Sequence, residues 1–166
     1  MKVNIALLTV TDTRTLKNDK SGGILANKIK KANHNLVDRK ICKDNKKDIK
    51  KILKAWTKKK NVDVIITTGG TGLTGRDITP EALNEIADKH IPGFGEVFRT
   101  ISLETVGTSS IQSRACAILS KGKYIFALPG SSGGVTDAWD KILVHQLDIN
   151  HKPCNFVELF SRLKEK

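Results

Sequence analysis

The residues best suited to chemistry lie in one stretch, residues 67–82, whose sequence is TTGGTGLTGRDITPEA. Gly69, Gly70 and Gly72 let the backbone take positive φ and approach a ligand closely. Consecutive amides in such a turn form an anion-binding hollow, so the stretch predicts a phosphate-binding loop. The hydroxyls that add hydrogen-bond donors to this loop are those of Thr68, Thr71 and Thr74.

An acidic residue, Asp77, follows the glycines. Thr79 and Pro80 are typical of an N-cap and a first helical residue, so Asp77 is predicted to lie before the helix and face the loop's ligand. A carboxylate beside phosphates suits Mg²⁺ shared between carboxylate and phosphate oxygens, which makes Asp77 the predicted catalytic residue and metal ligand. The alternative is a strand–turn–helix corner in which the glycines only allow the chain to turn and bind no ligand. Neither a Walker loop nor a dinucleotide fingerprint is present to exclude this alternative.

Other candidates follow the remaining predicted strands, because ligands of open α/β sheets bind beyond the carboxyl ends of the strands. Ser21 and Gly22 offer a hydroxyl and amides to an anion, with a plain helix N-cap as the alternative. Asp44 is a second candidate carboxylate, with an N-cap or turn residue as the alternative. The segment Pro129-Gly130-Ser131 ends the last predicted strand in a flexible, hydroxyl-rich loop.

Strands and helices alternate along the chain in the order needed to position these loops. Apolar runs of strand length occupy residues 3–10, 34–41, 62–66 and 123–128, and such runs are typical of strands buried on both faces. Amphipathic helices are predicted between them, including one capped at residues 108–110 that holds Ile111, Arg114, Ala115 and Ile118. This order predicts a single domain, residues 1–166, of α/β class: three layers, with a mostly parallel sheet and helices on both faces.

The composition limits the classes of function. The net charge of +12 favours nucleic-acid binding, but the lysines lie on predicted helix faces and aromatic residues are only 5%, so we expect no specific nucleic-acid partner. No run approaches the ~20 apolar residues of a membrane helix, so no membrane association is expected. The scattered Cys42, Cys116 and Cys154, and a start without a cleavage site, predict a reduced cytoplasmic protein.

Several motifs together resemble those of the molybdenum cofactor biosynthesis proteins of the MoaB/Mog type, which are related to the gephyrin G domain. The motifs cover most of the chain. They are LTVTD at 8–12, DKSG at 19–22, TTGGTG at 67–72, RDITPEA at 76–82, GFGE at 93–96, SR at 113–114 and LPGS at 128–131.

The resemblance implies a molybdopterin-binding fold and Mg²⁺- and ATP-dependent adenylylation of molybdopterin, giving adenylylated molybdopterin and pyrophosphate. It assigns the essential aspartate to Asp77 and a second acidic position to Asp44. It also implies a homotrimer or homohexamer. The segments at 93–99, 107–109 and 153–156 resemble the B branch, in which a non-catalytic molybdopterin carrier is the alternative. The intact RDITPEA motif favours activity, whereas the SSGG at 131–134 departs from the Mog pattern.

Overall fold

The computed structural model describes residues 1–165 and contains one six-stranded sheet. Its order is β2-β1-β3-β6-β5-β4, in which the first four strands run parallel and the last two pair antiparallel. The predicted mostly parallel α/β architecture is therefore confirmed. The strands are β1 (Asn4–Val10), β2 (Asn35–Cys42), β3 (Val64–Thr68), β4 (Lys89–His90), β5 (Cys116–Ser120) and β6 (Lys123–Leu128).

Helices cover both faces of the sheet and bury it in two separate cores. Alternate residues of β1 divide between them: Ile5 and Leu7 pack on one face, and Ala6 and Leu8 on the other. Because both faces of the central strands are buried, polar and apolar residues do not alternate along them. The helices are α1 (Lys20–Lys31), α2 (Lys46–Thr57), α3 (Thr79–Asn84), α4 (Pro92–Val106), α5 (Ser132–Ala138) and α6 (Val144–Gln146).

Three short helical segments complete the secondary structure of residues 1–165. Two are 3₁₀ turns, at Gly107–Gln112 and Val157–Leu159. The third is a π-helical turn, Trp139–Leu143, which joins α5 to α6. No helix among residues 1–165 combines the length and apolar character needed to cross a membrane.

The prediction of a helix through Ala115 and Ile118 was wrong. The 3₁₀ turn ends at Gln112, and β5 then forms an antiparallel hairpin with β6. The connection is Lys121 and Gly122, which have φ of 51° and 71°. Positive φ at both positions is the geometry of a type I′ turn, which matches the twist of the paired strands. The tight turn and the pairing with β6 decided the structure here, because a short apolar run fits either a helix or a strand.

The prediction of Thr79 as an N-cap was also wrong, because the cap position of α3 is Ile78 and has no side-chain cap bond. For α1 the cap is Asp19, whose carboxylate accepts the Gly22 amide at 2.9 Å, so Ser21 is not the cap. Asn45 caps α2, which leaves the side chain of Asp44 free of that role. Instead of capping, Thr79 donates its hydroxyl to the Gly69 carbonyl and Ser21 donates its hydroxyl to Asp19.

Candidate functional site

A cleft of about 270 Å³ lies at the carboxyl ends of the central parallel strands. The register pairs Thr9 of β1 with Thr68 of β3, and Thr68 with Leu128 of β6, so the loops after these strands meet at one edge. Seven predicted site residues line the cleft: Ser21, Asp44, Thr68, Gly69, Gly70, Asp77 and Gly130.

The remaining predicted residues lie beside the cleft rather than along its wall. Gly22 is buried at the start of α1 and donates its amide to Asp19. Pro129 and Ser131 line a neighbouring hollow of about 670 Å³, and Thr71 and Gly72 continue the glycine loop. Six further lining residues were not predicted as site residues. Two of them end β1, three lie in the loop after it and one precedes Asp77: Thr9, Val10, Thr11, Thr13, Arg14 and Arg76.

The glycine turn requires glycine at two positions. Gly69 has φ of 99° and Gly70 has φ of 67°, both in the region that L side chains rarely adopt. A Cβ on Gly69 would lie 2.2 Å from the carbonyl oxygen of Val10, and one on Gly130 would lie 3.3 Å from Cα of Gly69. Three loops therefore meet at backbone distance, which leaves no room for side chains at the base of the cleft.

The carbonyls of this turn face the protein, where Thr79 and Arg114 hold them. The hydroxyl of Thr79 donates to Gly69 O at 2.9 Å, and the amide of Thr79 donates to Gly70 O at 3.0 Å. Arg114 supplies two further bonds to the next two carbonyls, those of residues 71 and 72. The amide of Gly70 meets no acceptor among residues 1–165, so it remains available to an anion in the cleft.

Asp77 lies beside the glycine turn as predicted. Its Oδ2 accepts the hydroxyl of Thr74 at 2.6 Å and the Thr74 amide at 3.0 Å. A Cβ on Gly72 would lie 2.7 Å from the same oxygen. The hydrogen bond from the Thr74 hydroxyl is the main reason that the pKa of Asp77 lies below its ordinary value, despite partial burial. Asp77 is therefore a fixed, ionised carboxylate at the cleft wall.

Asp44 approaches the turn from β2. A Cβ on Gly70 would lie 2.9 Å from its Oδ1. Burial raises the pKa of Asp44, and the negative charges of Asp12 and Asp77 raise it further. Two carboxylates thus face the glycine turn in different electrostatic states, since one has a lowered and the other a raised pKa.

Arg76 and Asp12 form an ion pair at the mouth of the cleft. The Arg76 side chain is 68% exposed, so solvent screens the pair and its contribution to stability is small. The hydrogen bond from Arg76 lowers the pKa of Asp12. The charge of Arg76 also acts on Asp44, where it opposes the rise in the pKa of that carboxyl. A guanidinium at this position could also bind a phosphate in the cleft.

Beneath the cleft, Asp19 joins β1 to the start of α1. Its Oδ2 accepts the hydroxyl of Thr9 at 2.6 Å and the Arg39 guanidinium at 3.0 Å. Burial acts to raise the pKa of Asp19, but these hydrogen bonds and the Gly22 amide outweigh it and leave the pKa lowered. The Asp19 network fixes the strand end that forms one wall.

The carboxylates fit a cation only with help from a ligand. No three His, Cys, Asp or Glu side chains within residues 1–165 gather closely enough to hold a metal ion by themselves. Burial raises the pKa of Asp44, repulsion from Asp12 and Asp77 raises it further, and no Lys or Arg among residues 1–165 donates a hydrogen bond to its carboxylate. A cation completed by phosphate oxygens would relieve that repulsion, so Asp77 and Asp44 fit the magnesium ion expected from the sequence.

Comparison with known proteins gives one family over most of the chain. The family model described as "Probable molybdopterin binding domain" matches residues 6–149. The molybdenum cofactor biosynthesis protein B of Escherichia coli (strain K12) is 45% identical over 152 residues, which cover 92% of this chain and 89% of that protein. The protein of the same name from Bacillus cereus is 44% identical over 147 residues, or 88% of this chain and 87% of that one.

Solved structures agree with this relationship. A crystal structure of molybdenum cofactor biosynthesis protein B has a TM-score of 0.90 and 39% identity, and the match covers 100% of this chain and 98% of that one. The tungsten cofactor synthesizing protein MoaB from Pyrococcus furiosus has a TM-score of 0.77 and 35% identity, with 86% and 91% covered.

Proposed function

This chain belongs to the molybdopterin-binding family of molybdenum cofactor biosynthesis proteins, and we propose that it adenylylates molybdopterin with Mg²⁺ and ATP. Its role in molybdenum cofactor biosynthesis follows from the family. The adenylyl transfer is our inference from the cleft. It is carried by one observation: Asp77 and Asp44 face the Gly69–Gly70 turn in a single open cleft at the strand ends.

In the proposed reaction, a terminal phosphate oxygen of molybdopterin attacks the α-phosphorus of ATP. A P–O bond forms to that phosphorus while the bond to the β-phosphate oxygen breaks, so pyrophosphate leaves and adenylylated molybdopterin remains. Such transfers depend on positioning and charge neutralisation rather than on covalent work by the protein. The cleft needs no nucleophilic side chain for this reaction.

The chain's own groups supply the positioning. Gly70, whose amide has no acceptor among residues 1–165, borders the cleft together with the cationic Arg76 and Arg14. Thr68 is held against the Pro129 carbonyl at 2.7 Å, which fixes the distance between the glycine loop and the loop after β6. These contacts hold two phosphate-bearing substrates in one orientation.

Asp77 and Asp44 would hold the magnesium ion. When bound, the ion would neutralise oxyanion charge on the phosphates. Asp77 is already ionised and oriented by Thr74, so it offers a fixed ligand. Asp44 offers a carboxylate whose repulsion from its neighbours a cation would relieve.

The neighbouring hollow of about 670 Å³ is the position that we propose for the pterin. It adjoins the cleft across Gly130, since Pro129 and Ser131 border the hollow and Gly130 borders the cleft. The hollow combines the apolar Phe98 with many hydroxyl groups, which suits a flat heterocycle with polar edges. Its hydroxyl residues include Ser102, Ser110, Ser113, Ser131 and Thr136.

A molybdopterin carrier without activity is the second candidate. The observation in its favour is that the described carboxylates do not form a complete metal site without a ligand. One assay separates the two functions: incubation of the purified chain with molybdopterin, ATP and Mg²⁺, followed by chromatography of the pterin and measurement of pyrophosphate. Adenylylated pterin with equimolar pyrophosphate supports the enzyme. Saturable pterin binding without either product contradicts it and supports the carrier.

We also propose a homo-oligomeric, cytoplasmic protein. The support for an oligomer is the exposure of large apolar side chains on α4 and the following 3₁₀ turn. Val97, Leu103 and Ile111 are 49%, 50% and 77% exposed. Contacts between chains are one way in which such side chains are buried. The support for a reducing location is that Cys42, Cys116 and Cys154 are all free.

A further inference from the structure

We propose that Arg114 is a positioning residue: its guanidinium clamps the loop from Gly72 to Asp77 and so sets the orientation of the Asp77 carboxylate. The effect of Arg114 on catalysis rests on the proposed adenylyl transfer. The clamp itself depends only on the contacts of Arg114 and not on any activity. Arg114 precedes β5, in the segment whose secondary structure the sequence did not predict correctly.

The contacts of Arg114 join both ends of the loop. Its Nε donates to Gly72 O at 2.7 Å, and its Nη2 donates to Asp77 O at 2.7 Å. Its backbone amide donates to Thr71 O at 3.0 Å. One residue therefore fixes three carbonyls, on both sides of the Thr74 turn that orients the Asp77 carboxylate.

The charge of Arg114 is used inside the protein rather than offered to a ligand. Its Nη1 bonds to Oε1 of Glu81 in α3, and this hydrogen bond is the main reason that the pKa of Glu81 is lowered. Arg114 does not border the cleft. Every guanidinium nitrogen thus has a partner from the loop or from α3, which indicates a role in positioning and not in anion binding.

Only arginine has the geometry for this arrangement. The planar guanidinium presents donors in a fixed fork, and here the fork reaches two carbonyls and a carboxylate at once. A lysine keeps the charge for Glu81, but its three donors share one nitrogen and cannot reproduce the planar fork that reaches Gly72, Asp77 and Glu81 from three nitrogens. Arg114→Lys therefore removes the clamp while it retains the ion pair.

The chain contains a matched control in Arg99. Its Nη1 donates to the carbonyls of Ser113 and Ala115, at 3.3 and 3.0 Å, so it also binds backbone oxygens on either side of Arg114. It does not contact the loop from Gly72 to Asp77. Arg99→Lys should perturb the same segment without loosening that loop.

Hydrogen exchange measured by mass spectrometry tests the clamp without any substrate. In Arg114→Lys we expect the amides of Thr74 and Asp77, which are hydrogen-bonded to each other's residue across the turn, to exchange about tenfold faster or more, because the clamp that holds both ends of the turn is lost. Glu81→Gln should give a smaller increase, and Arg99→Lys none in the peptide that contains them. Equal exchange in wild type and Arg114→Lys would overturn the proposal. So would faster exchange spread over all peptides, which would mean general destabilisation.

Kinetics then test the consequence for Asp77. If wild type makes adenylylated molybdopterin, Arg114→Lys should lower kcat about tenfold or more with KM for ATP nearly unchanged, because the loop acts on the reacting phosphates. An increase in KM alone would overturn the positioning role. If wild type makes no product, the proposed function fails, while the exchange result still decides whether the clamp exists.

Discussion

Asp12 and Asp44 are linked directly, because the backbone amide of Asp44 donates a hydrogen bond to Oδ1 of Asp12 at 3.2 Å. The contact places the charge of Asp12 beside the Asp44 carboxylate. Burial raises the pKa of Asp44, and Asp12 is the largest of the neighbouring charges that raise it further. The two loops after β1 and β2 therefore control the ionisation of a predicted site residue.

This relationship predicts a pH dependence. Asp44 stays protonated to a higher pH than an ordinary aspartate, so activity that needs its carboxylate is lost as the pH falls through the raised pKa. Asp12→Asn removes the like charge and frees Arg76, and both changes lower the pKa of Asp44. We expect the acid limb of the kcat/KM profile to move to lower pH. Movement to higher pH, or the same shift in Asp140→Asn outside the cleft, would contradict this mechanism.

The role of Asp77 predicts a large effect from a nearly isosteric change. Asp77→Asn removes the charge but keeps an oxygen for Thr74, so the loop should remain folded. We expect the rate of adenylylation to fall about a hundredfold or more, as for loss of a major electrostatic group. Product formation is measured by chromatography, and thermal unfolding checks the fold. Asp140→Asn, which alters an exposed carboxylate paired with Lys28, serves as the control. Near-normal turnover in Asp77→Asn would exclude the assigned role.

The glycine turn predicts a difference between two substitutions in one loop. Gly69→Ala forces a side chain into φ of 99° and within 2.2 Å of Val10 O. We expect it to lower the free energy of unfolding by about 3 kcal/mol, from left-handed strain and steric overlap together. Gly75→Ala meets open space and should change stability by less than about 0.5 kcal/mol. Urea denaturation measures both, and equal losses would show that the close approach is not the cause.

The buried carboxylate of Asp19 predicts a pH-dependent contribution to stability. Because its pKa is lowered in the folded state, the stabilisation is present above the unfolded value of about 3.9 and is lost as the pH falls through the folded value. At neutral pH, Asp19→Asn should cost about 2–4 kcal/mol, since it leaves Arg39 without its counterion. Urea denaturation at several pH values should show the difference from wild type shrinking below about pH 4. A constant difference would refute this account.

The exposed apolar side chains on α4 and the following 3₁₀ turn predict a contact between chains. Ile111→Asp places a charge at the most exposed of them, so it should shift a homotrimer or homohexamer toward smaller species. Light scattering coupled to size exclusion gives the mass. Leu16→Asp, at a residue 55% exposed in the polar loop after β1, is the control. An unchanged mass in Ile111→Asp would place the interface elsewhere, and a monomeric wild type would remove the proposal.

The predicted site came largely from local sequence. Gly69 and Gly70 at a strand end specify a turn, and Asp77 before a helix places a carboxylate next to it. Both features are local and do not depend on tertiary contacts. The position of Asp44 in the same cleft was predicted because loops after parallel strands share one edge. Arg114 was not assigned to this site, since its contacts cross from the segment before β5 to residues far away in the sequence.

The sequence by itself determined the alternation of strands and helices, the mostly parallel sheet and the glycine turn, because periodicity and glycine φ are local properties. Tertiary structure decided the rest. The run at Cys116–Ser120 became a strand because the Lys121-Gly122 turn folds it onto β6. Thr79 holds the Gly69 carbonyl instead of capping α3, because that carbonyl lies within hydrogen-bond reach only once the loop has closed. Short apolar runs and single polar residues have several local solutions, and the partners brought by the fold select one of them.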